Sequence, residues 1–329
     1  MIKIGFITAP LHNANADRGV GAYTRRLLPE LKKQAPNFDI EVLEIKNSLK
    51  IKNLKLKIVH YPYFDLFRHT LPIFKNTKTV VTVHDVIPLE FPDHYPPGLR
   101  GWFNLQLQKL ALSEVERVIT VSYHCIKSIH AHLGVPHAKL KLVYEAAGPI
   151  FKPVTKPKNK YHLPAKFVLY VGDVNYNKNI PNLVTACKLA KLPLVIVGKQ
   201  AAQLEKLDLS HPELSHLRNL DLDFILRLGF VSDADLVHIY NLASVYCQPS
   251  LAEGFGLPVL EALACGTPVA CSNTSSLPEI AGESATYFNP HDINNISRAI
   301  INAKPPQSKL TFSWEETAKL TLMVYREIL

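Results

Sequence analysis

The chain has 329 residues, of which 47% are hydrophobic and 20% are charged. This length and composition predict two globular domains, and they exclude a disordered chain, a collagen and a coiled coil. The net charge is +9; residues 1–160 carry about twice as many basic as acidic side chains, whereas residues 161–329 carry a slight acidic excess.

The chain contains five cysteines, and no two of them have the CxxC spacing. This pattern argues against a zinc ribbon or a disulfide framework and favours a reducing compartment. No apolar run approaches the ~18–20 residues that a membrane-spanning helix needs, and the first apolar run is too short for a signal peptide. We therefore expect a cytoplasmic protein, bound at most peripherally to the inner face of the cytoplasmic membrane.

Short apolar runs alternate with amphipathic stretches from the N-terminus onward. Amphipathic stretches such as Tyr23–Lys33 and Leu105–Leu112 predict helices between the runs. The runs themselves predict buried strands at Ile2–Thr8, Ile58–Tyr61, Val80–Val83, Arg117–Val121 and Lys141–Tyr144. This alternation is typical of a parallel sheet wrapped by helices, and we assign residues 1–150 to an N-terminal α/β domain.

The densest basic cluster lies in this first half and consists of Lys46, Lys50, Lys52, Lys55 and Lys57. A solvated lysine face is one interpretation. Attraction to an anionic membrane surface or to a phosphate-bearing acceptor is the other. Nucleic acid is not expected as a partner, because the aromatic residues do not interleave with the basic ones as a stacking platform requires.

Residues 151–163 are rich in Pro and Lys and have no periodicity, which predicts an interdomain linker. The strand pattern restarts in residues 164–312, at Phe167–Val171, Pro193–Val197, Ile225–Leu228, Val245–Gln248 and Pro268–Cys271. Two doubly wound, Rossmann-like domains are therefore predicted, facing each other across a cleft at the carboxyl ends of their strands. Ser313–Leu329 predicts a final helix, with Ser313 as N-cap and Glu316 three residues on.

The most informative segment runs from Glu253 to Val269. After the strand Val245–Gln248, a loop with two glycines precedes a helix whose first turn holds Pro258 and whose end is marked by Gly266. Glycines before a helix let the backbone approach a ligand closely, and the helix N-terminus attracts an anion such as a diphosphate.

Two carboxylates, Glu253 and Glu261, bracket this predicted phosphate site. A carboxylate accepts hydrogen bonds from two neighbouring hydroxyl groups, as on a ribose or a hexose. We place Glu261 in the first turn of the helix, from which its side chain leans back toward the ligand.

This run resembles the E-x7-E signature of the retaining family 4 glycosyltransferases, whose fold is GT-B. Further segments of the chain are similar to motifs of that family, and together they extend over nearly the whole sequence. They are Gly19-Val20-Gly21, which resembles the N-terminal glycine loop of the family, Thr82-Val83-His84-Asp85, the run from Val121 to Ser128, Tyr170-Val171-Gly172 with Lys178-Asn179, and the run from Ser313 to Ala318, which resembles a helix that crosses back onto the N-terminal domain.

The resemblance implies roles for individual residues. Three of them would be catalytic: His84 near the sugar and the reacting centre, Lys178 at the leaving diphosphate and Glu253 at the sugar hydroxyls. Glu261 would hold the ribose of a nucleotide sugar. The other residues implied in donor binding are Gly19, Gly21, Gly172, Asn179, Gly254, Phe255, Gly256 and Leu257.

Two positions depart from the family pattern. Many relatives have an arginine between Gly172 and Lys178, where this chain has Asp173 and Asn177. Lys178 would then act with less help, or Arg18 beside the glycine segment would replace the missing arginine.

No metal ion is expected. The sequence spells DxD at Asp221-Leu222-Asp223 and again at Asp233-Ala234-Asp235, which we interpret as chance and helix capping. His130 and His132 do not share one helical face as zinc ligands would, so we interpret them, with His137, as solvated side chains.

The resemblance therefore implies a metal-independent, retaining hexosyltransferase without a cofactor. It would move a hexose to a hydroxyl group of a glycan or lipid-linked acceptor in cell-surface polysaccharide synthesis, with mannose from GDP-mannose preferred over a UDP-hexose. The N-terminal domain would bind the acceptor and the C-terminal domain the donor. Two alternatives stay open: a nucleotide-sugar epimerase of the same fold, and a non-catalytic protein that binds polyanions through its basic half.

Overall fold

The computed structural model describes residues 1–13, 16, 19–46, 54–307 and 311–329. These residues fall into two units. The first unit comprises Met1–Glu90, Pro97–Ala146 and Phe312–Leu329, and the second comprises Phe91–Pro96 and Ala147–Thr311. Each unit is built on one parallel sheet of six strands, as the sequence predicts for a doubly wound α/β protein.

The sheet of the first unit is formed by strands that are all parallel to their neighbours. They are β1 (Ile2–Ile7), β2 (Ile40–Ile45), β3 (Ile58–Tyr61), β4 (Lys78–Thr82), β5 (Arg117–Thr120) and β6 (Leu140–Leu142). Their order is β2-β1-β3-β4-β5-β6. The connections in this part of the chain contain α1 (Gly19–Gln34), α2 (Ile87–Glu90), α3 (Gly98–Ser113) and α4 (Tyr123–Leu133).

The sheet of the second unit has the order β12-β11-β10-β7-β8-β9, again all parallel. Its strands are β7 (Val168–Val171), β8 (Leu194–Val197), β9 (Ile225–Leu228), β10 (Val245–Gln248), β11 (Val269–Ser272) and β12 (Thr286–Phe288). The helices are α5 (Ile180–Ala190), α6 (Asp233–Leu242), α7 (Leu257–Ala264), α8 (Leu277–Ala281) and α9 (Ile293–Asn302).

Both faces of this second sheet are buried. Leu169 of β7 belongs to one hydrophobic cluster, and its neighbours Val168 and Tyr170 belong to another. Successive side chains of a strand point to opposite faces, so a strand covered on both sides reads as a continuous apolar run. This is why the central strands were evident from the sequence.

The last helix, α10 (Trp314–Ile328), belongs to the first unit although it follows the second in sequence. Leu322 shares a hydrophobic core with β1 and α1. The Ser313 hydroxyl accepts a hydrogen bond from the Glu316 N–H at 3.1 Å, which confirms the predicted N-cap.

The ten predicted strands are confirmed, with ends that shift by at most two residues, but two further strands were not predicted. Both are edge strands, β2 and β12. The first carries two glutamates, of which Glu44 pairs with Lys32 at 2.5 Å, and the second has three residues. A strand with one open edge needs no continuous apolar run, so its hydrophobic signal is weak.

The segment 151–163, predicted as a linker, packs on the second unit. Phe151 and Leu163 are buried in one of its hydrophobic clusters. All five cysteines are buried and form no disulfide. Within the part of the chain that the structure describes, no helix has the length and apolar character needed to cross a bilayer.

Candidate functional site

The predicted donor residues of the second unit lie at the carboxyl end of its sheet. The loop after β7 carries Gly172, Lys178 and Asn179, and the loop after β10 carries Glu253 to Gly256. β7 and β10 are neighbours, and the strand order reverses between them. Open α/β sheets bind ligands at this point, because the two connections leave in opposite directions and open a crevice.

Glu253 and Lys178 form a partly buried ion pair at this edge. The Lys178 ammonium donates to both carboxylate oxygens of Glu253, at 2.7 and 2.9 Å. The amide of Gln248 and the hydroxyl of Ser250 also donate to the Oε1 atom of Glu253, at 2.7 and 2.6 Å. The predicted pair of catalytic residues is thus brought together, and the carboxylate fixes the ammonium group by two charge-assisted hydrogen bonds.

The loop between the two predicted carboxylates leads directly into α7. Gly256 occupies the N-cap position with φ +109°, and a Cβ there would lie 2.9 Å from the Cδ2 atom of Leu277. Only glycine adopts this conformation without strain. The N–H groups of Val259 and Leu260 donate to the carbonyl oxygen of Gly256, at 2.9 and 3.3 Å, and Pro258 has no N–H. Leu257 is the first residue of the helix, so its N–H has no intrahelical acceptor. The predicted helix with Pro258 in its first turn is confirmed.

Two serines that the sequence analysis did not single out hold this loop. Ser276 donates from its hydroxyl to the carbonyl groups of Glu253 and Phe255, at 3.0 and 2.8 Å. Ser275, which has a left-handed φ of 52°, accepts from the Glu253 N–H at 2.9 Å.

 The serine pair lies after β11, so the strand next to β10 supports the loop that β10 leads into.

Glu261 lies one turn deeper in the helix than predicted. Since α7 begins at Leu257, Glu261 is its fifth residue and not part of the first turn. Its side chain is buried, and its Oε2 atom accepts a hydrogen bond from the hydroxyl of Tyr240 on α6 at 3.2 Å. Burial, followed by the charge of Glu261, raises the pKa of Tyr240 well above its ordinary range. The phenol therefore stays protonated and orients the carboxylate.

The loop after β7 is tied to its surroundings by two asparagines. Asn179, with a left-handed φ of 55°, donates from its amide to the carbonyl groups of Pro249 and Pro290, at 3.1 and 2.8 Å. Its side chain thus connects three loops at this edge of the sheet. Donor binding by Asn179 stays a prediction.

Asn177 is one of the two residues that stand where the family resemblance implies an arginine. Its Oδ1 atom accepts from the hydroxyl of Tyr95 at 2.7 Å, and its Nδ2 atom donates to the carbonyl group of Ala252 at 3.0 Å. Tyr95 belongs to Phe91–Pro96, the short segment that the second unit takes from the first half of the chain. Asn177 is therefore a buried connector between the two site loops. Its partner Tyr95 carried no recognisable sequence signal.

Gly172 directly follows β7 and has φ +149°. A Cβ there would lie 2.9 Å from the hydroxyl oxygen of Tyr170. Gly198 lies against it, since a Cβ on Gly198 would lie 2.2 Å from the carbonyl oxygen of Gly172. The two glycines let the ends of β7 and β8 approach each other closely. Direct contact of Gly172 with a donor stays a prediction.

His84 lies in the first unit, just after β4, in a buried ion pair. Its Nδ1 atom is 3.0 Å from the Oε1 atom of Glu145, and its Nε2 atom is 3.0 Å from the carbonyl oxygen of Pro62. A carbonyl oxygen only accepts, so Nε2 carries a proton, and the carboxylate of Glu145 favours a second proton on Nδ1. Burial disfavours the imidazolium, but the hydrogen bond and charge of Glu145, with the Pro62 carbonyl and the charge of Asp85, outweigh burial and raise the pKa of His84.

The predicted glycine loop of the first unit is helical. Gly19 and Gly21 are the first and third residues of α1, and Gly21 is buried. The prediction of a loop at these positions is therefore wrong. Arg18, the predicted substitute for the missing arginine, lies outside the described residues. Lys50 and Lys52 of the predicted basic cluster lie outside them too.

The weaker metal candidates have ordinary structural partners. Asp221 pairs with Lys188 at 2.5 Å on the surface, and Asp233 and Asp235 lie in the first turn of α6, which Ser232 caps. Among the residues with described positions, no group of three or more His, Cys, Asp or Glu side chains could hold a metal ion.

The histidines near the end of α4 are solvated as expected, since His130 and His137 are exposed and His132 is partly exposed, and two of them also make contacts. The rings of His130 and His137 lie 4.1 Å apart between centroids. The Nδ1 atom of His130 is 2.9 Å from the carbonyl oxygen of Val135. These contacts join the end of α4 to the segment that follows it.

In a comparison with known proteins, two ranges of the chain match family profiles. The profile described as "Glycosyl transferases group 1" matches residues 152–319, which is about half of the chain. The profile described as "Glycosyltransferase Family 4" matches residues 25–146. The first match contains all the predicted site residues of the second unit.

Two relatives and one solved structure illustrate these similarities. The serotype-specific mannosyltransferase WbdA of Escherichia coli is 30% identical over 281 residues, which cover 77% of this chain and 34% of WbdA. The O-antigen chain mannosyltransferase B of E. coli is 29% identical over 300 residues, which cover 84% of this chain and 76% of the relative. The chain thus spans only about a third of the length of WbdA.

The solved structure of sucrose-phosphate synthase from Thermosynechococcus elongatus superposes with a TM-score of 0.67. The two sequences are 20% identical, and the alignment covers 100% of this chain and 95% of that chain. A likeness at this level of identity shows a common fold.

Proposed function

Because the chain belongs to the family of group 1 glycosyl transferases and has the GT-B fold, we propose that it transfers mannose from GDP-mannose to a hydroxyl group of a glycan or lipid-linked acceptor. The sugar is inferred from the relatives, which are mannosyltransferases. The observation that carries the proposal is the Lys178–Glu253 ion pair beside the N-terminus of α7.

The donor diphosphate would lie at the N-terminus of α7. The Leu257 N–H and the helix dipole supply partial positive charge there, and the Lys178 ammonium supplies a full charge. When the bond between the anomeric carbon and the phosphate oxygen breaks, both electrons go to the phosphate. The developing charge then meets a cation that is already oriented, so little reorganisation is needed during the reaction.

The acceptor hydroxyl would attack the same face of the sugar from which the nucleotide leaves. Its oxygen bonds to the anomeric carbon, and its proton passes to the leaving phosphate, so the products are a mannoside and GDP. This order of bond breaking and bond making retains the anomeric configuration and uses no enzymic nucleophile. Lys178 supplies the charge stabilisation that a metal ion supplies in other enzymes.

The nucleoside would be held by Glu261. A carboxylate accepts from the two ribose hydroxyls, and Tyr240 fixes its orientation by the hydrogen bond to Oε2. Because Tyr240 is buried, the nucleoside meets a carboxylate whose position is set before binding.

The first unit would bind the acceptor, and His84 would act there as a cation rather than as a base. Both ring nitrogens of His84 are engaged with acceptors. In this state the imidazolium can donate to a sugar or phosphate oxygen only by exchanging one of these partners. Proton removal from the acceptor is therefore assigned to the leaving phosphate.

The test is a transfer assay with GDP-mannose and UDP-glucose as donors and a mannosylated lipid or oligosaccharide as acceptor. We expect mannosylated product from GDP-mannose, and a loss of at least about 100-fold in kcat/KM for Glu261→Gln, since a site built for hydroxyl groups is then incomplete. Glu283→Gln, an exposed glutamate of the same unit, is the control. Release of free mannose or an epimer without transfer would instead support an epimerase.

A further inference from the structure

The turn that carries Lys178 is in contact with a segment from the first half of the chain. The Phe91–Pro96 segment belongs to the second unit, whereas the residues on both sides of it belong to the first. Two of its side chains, His94 and Tyr95, contact the two residues that precede Lys178. The first half of the chain therefore supplies side chains to the surroundings of the proposed leaving-group cation.

Three aromatic rings hold the side chain of Tyr176. The ring of His94 stacks on the ring of Tyr176, with 3.3 Å between the centroids and an angle of 10° between the planes. The rings of Phe91 and His216 meet the Tyr176 ring edge to face, with centroids 5.8 and 5.6 Å away. Aromatic pairs attract each other beyond the effect of the area that they bury. Tyr176 is therefore fixed between rings, two of which come from the Phe91–Pro96 segment.

The hydroxyl group of Tyr95 makes two hydrogen bonds to Asn177. It donates to the Oδ1 atom at 2.7 Å and accepts from the backbone N–H at 3.3 Å. Asn177 is buried and also contacts the loop that leads to Glu253. Its Nδ2 atom donates to the carbonyl group of Ala252 at 3.0 Å, and its carbonyl oxygen accepts from the Leu251 N–H at 2.7 Å. Tyr95 thus completes a chain of hydrogen bonds that joins the two site loops.

A lysine that stabilises a leaving group has to be fixed at both ends of its side chain, because its four-carbon stem is flexible. Glu253 fixes the ammonium group of Lys178. The backbone of Lys178 is fixed by the short turn Tyr176–Lys178, whose first two residues are the ones that His94 and Tyr95 contact. A displacement of this turn would move the ammonium group relative to a bound diphosphate.

We propose that Tyr95 is a positioning residue for Lys178, supported by His94. Through Asn177, the Tyr95 hydroxyl keeps the turn of Lys178 in place, so that the ammonium group meets the phosphate oxygen as its negative charge develops. This inference rests on the proposed function, because it assigns Tyr95 to the step that Lys178 assists. Stabilisation by an oriented charge depends on its position, and a displacement of about 1 Å can lower the rate about 100-fold.

Tyr95→Phe removes the hydroxyl group and keeps the ring. We expect kcat with GDP-mannose to fall at least about tenfold and KM to change less than about twofold, because the position of the ammonium group matters most in the transition state. His94→Ala, which removes neither hydrogen bond of Tyr95, should lower kcat by a smaller factor. The matched control is Tyr161→Phe, which should leave kcat unchanged. The hydroxyl of Tyr161 donates to Asp235 at 3.1 Å in the same unit.

A double-mutant cycle separates positioning from a general loss of stability. If Tyr95 acts through Lys178, then Tyr95→Phe should lower kcat by less than about twofold once Lys178 is replaced by alanine. A merely structural role of Tyr95 would lower kcat by the same factor in both backgrounds. That outcome overturns the proposal, as does an unchanged kcat in Tyr95→Phe alone.

A measurement without substrate tests the position of Lys178 by itself. Acetic anhydride acylates only unprotonated amines, and mass spectrometry follows each lysine separately. In Tyr95→Phe, Lys178 should be acylated at least about threefold faster relative to Lys188 than in the wild type, because a looser ion pair favours the ammonium form less. Lys188 is the internal reference, since it pairs with Asp221 on the surface of the same unit.

Equal relative rates of acylation in Tyr95→Phe and the wild type overturn the proposal. A wild-type chain that transfers no sugar, with the expected difference in acylation, would refute the proposed transfer reaction and still support the role of Tyr95 in fixing Lys178. The two failures are therefore distinguishable.

Discussion

At the scale of single residues, each of the two site carboxylates in the second unit has a separate role. Glu253 holds Lys178 through both of its oxygens, while Glu261 is oriented by Tyr240. An ion pair that is largely removed from water adds little net stability, because desolvation offsets much of the Coulomb attraction. The main effect of the Lys178–Glu253 pair is to hold the Lys178 ammonium in one position. In the proposed mechanism, Lys178 is thus the residue on which leaving-group stabilisation would depend.

Replacing Lys178 tests this role directly. Lys178→Ala should lower kcat at least about 100-fold, with a smaller change in KM, because the lost charge matters most in the transition state. Lys188→Ala, which removes an exposed lysine paired with Asp221 in the same unit, should leave both constants unchanged. The measurement is steady-state kinetics of both variants with the preferred donor. Similar kcat values for Lys178→Ala and Lys188→Ala would contradict the role of Lys178 in leaving-group stabilisation.

The His84–Glu145 pair predicts a pH dependence of stability. The folded-state pKa of His84 is raised, so its contribution is fully present below the unfolded value of about 6.5 and is lost as the pH rises through the folded pKa. Glu145→Gln removes the partner. We therefore expect it to lower the free energy of unfolding more at about pH 6 than at about pH 9.

Urea unfolding at a series of pH values measures this difference, with Glu283→Gln as the control. His60 has the opposite trend, because burial lowers its pKa to about 3. Burial, which neither variant changes, is the larger cause and cancels in the comparison, while the smaller contribution from the charge of His84 changes with Glu145→Gln. A constant difference between wild type and Glu145→Gln across the pH range would refute the ion pair.

At the scale of elements, the donor site depends on how α7 begins. Its N-cap is a glycine in the left-handed region, and the preceding loop is held by Ser275 and Ser276 of the neighbouring connection. The helix itself was predictable, because Pro258 and Gly266 mark its ends in the sequence. Its start at Leu257, and so the place of Glu261 in the second turn, followed only from the structure.

Gly256→Ala should disturb this start. The left-handed φ costs about 1–2 kcal/mol for any residue with a Cβ, and the contact with Leu277 adds to it. We also expect nucleotide affinity to fall, because the first-turn N–H groups move. Gly134→Ala, which has φ +71° with nothing within 4 Å of the added Cβ, should lose a similar backbone energy and keep its nucleotide affinity.

Chemical denaturation and calorimetric titration with GDP measure the two effects separately. Equal nucleotide affinity in the two variants would show that the start of α7 does not contact the ligand.

At the scale of the whole molecule, the two sheets have separate hydrophobic cores, and the proposed donor residues with described contacts are concentrated in the second unit. A nucleotide that binds there stabilises the folded chain by mass action. GDP at 100 times its dissociation constant should add about 2.7 kcal/mol.

We expect this stabilisation to be the same with EDTA and with Mg²⁺, and to be larger for GDP than for UDP at equal concentration. Thermal unfolding with each nucleotide is the measurement. Stabilisation that requires Mg²⁺ would refute the metal-independent mechanism. It would also contradict the interpretation of the DxD sequence at Asp221 and Asp223 as a chance match. Stabilisation by UDP alone would refute the choice of GDP-mannose.

The sequence by itself determined the features that depend on local chemistry. Central strands are recognisable as apolar runs because both of their faces are buried. The ends of α7 and the start of α10 are recognisable from Pro, Gly and Ser, because helix capping depends on residues close together in the sequence. Glu253 was predicted from the same local pattern, whereas Lys178 was predicted from the resemblance to the family 4 glycosyltransferases.

Only the tertiary structure decided which distant residues meet. Lys178 and Glu253 are 75 residues apart, and Tyr95 and Asn177 are 82 apart. The parallel order of the sheet brings such loops together at one edge, and no local pattern encodes that order. The same holds for α3, whose apolar residues occupy both faces: the sequence cannot say which of them pack inward, because only the sheet beneath the helix selects the buried side.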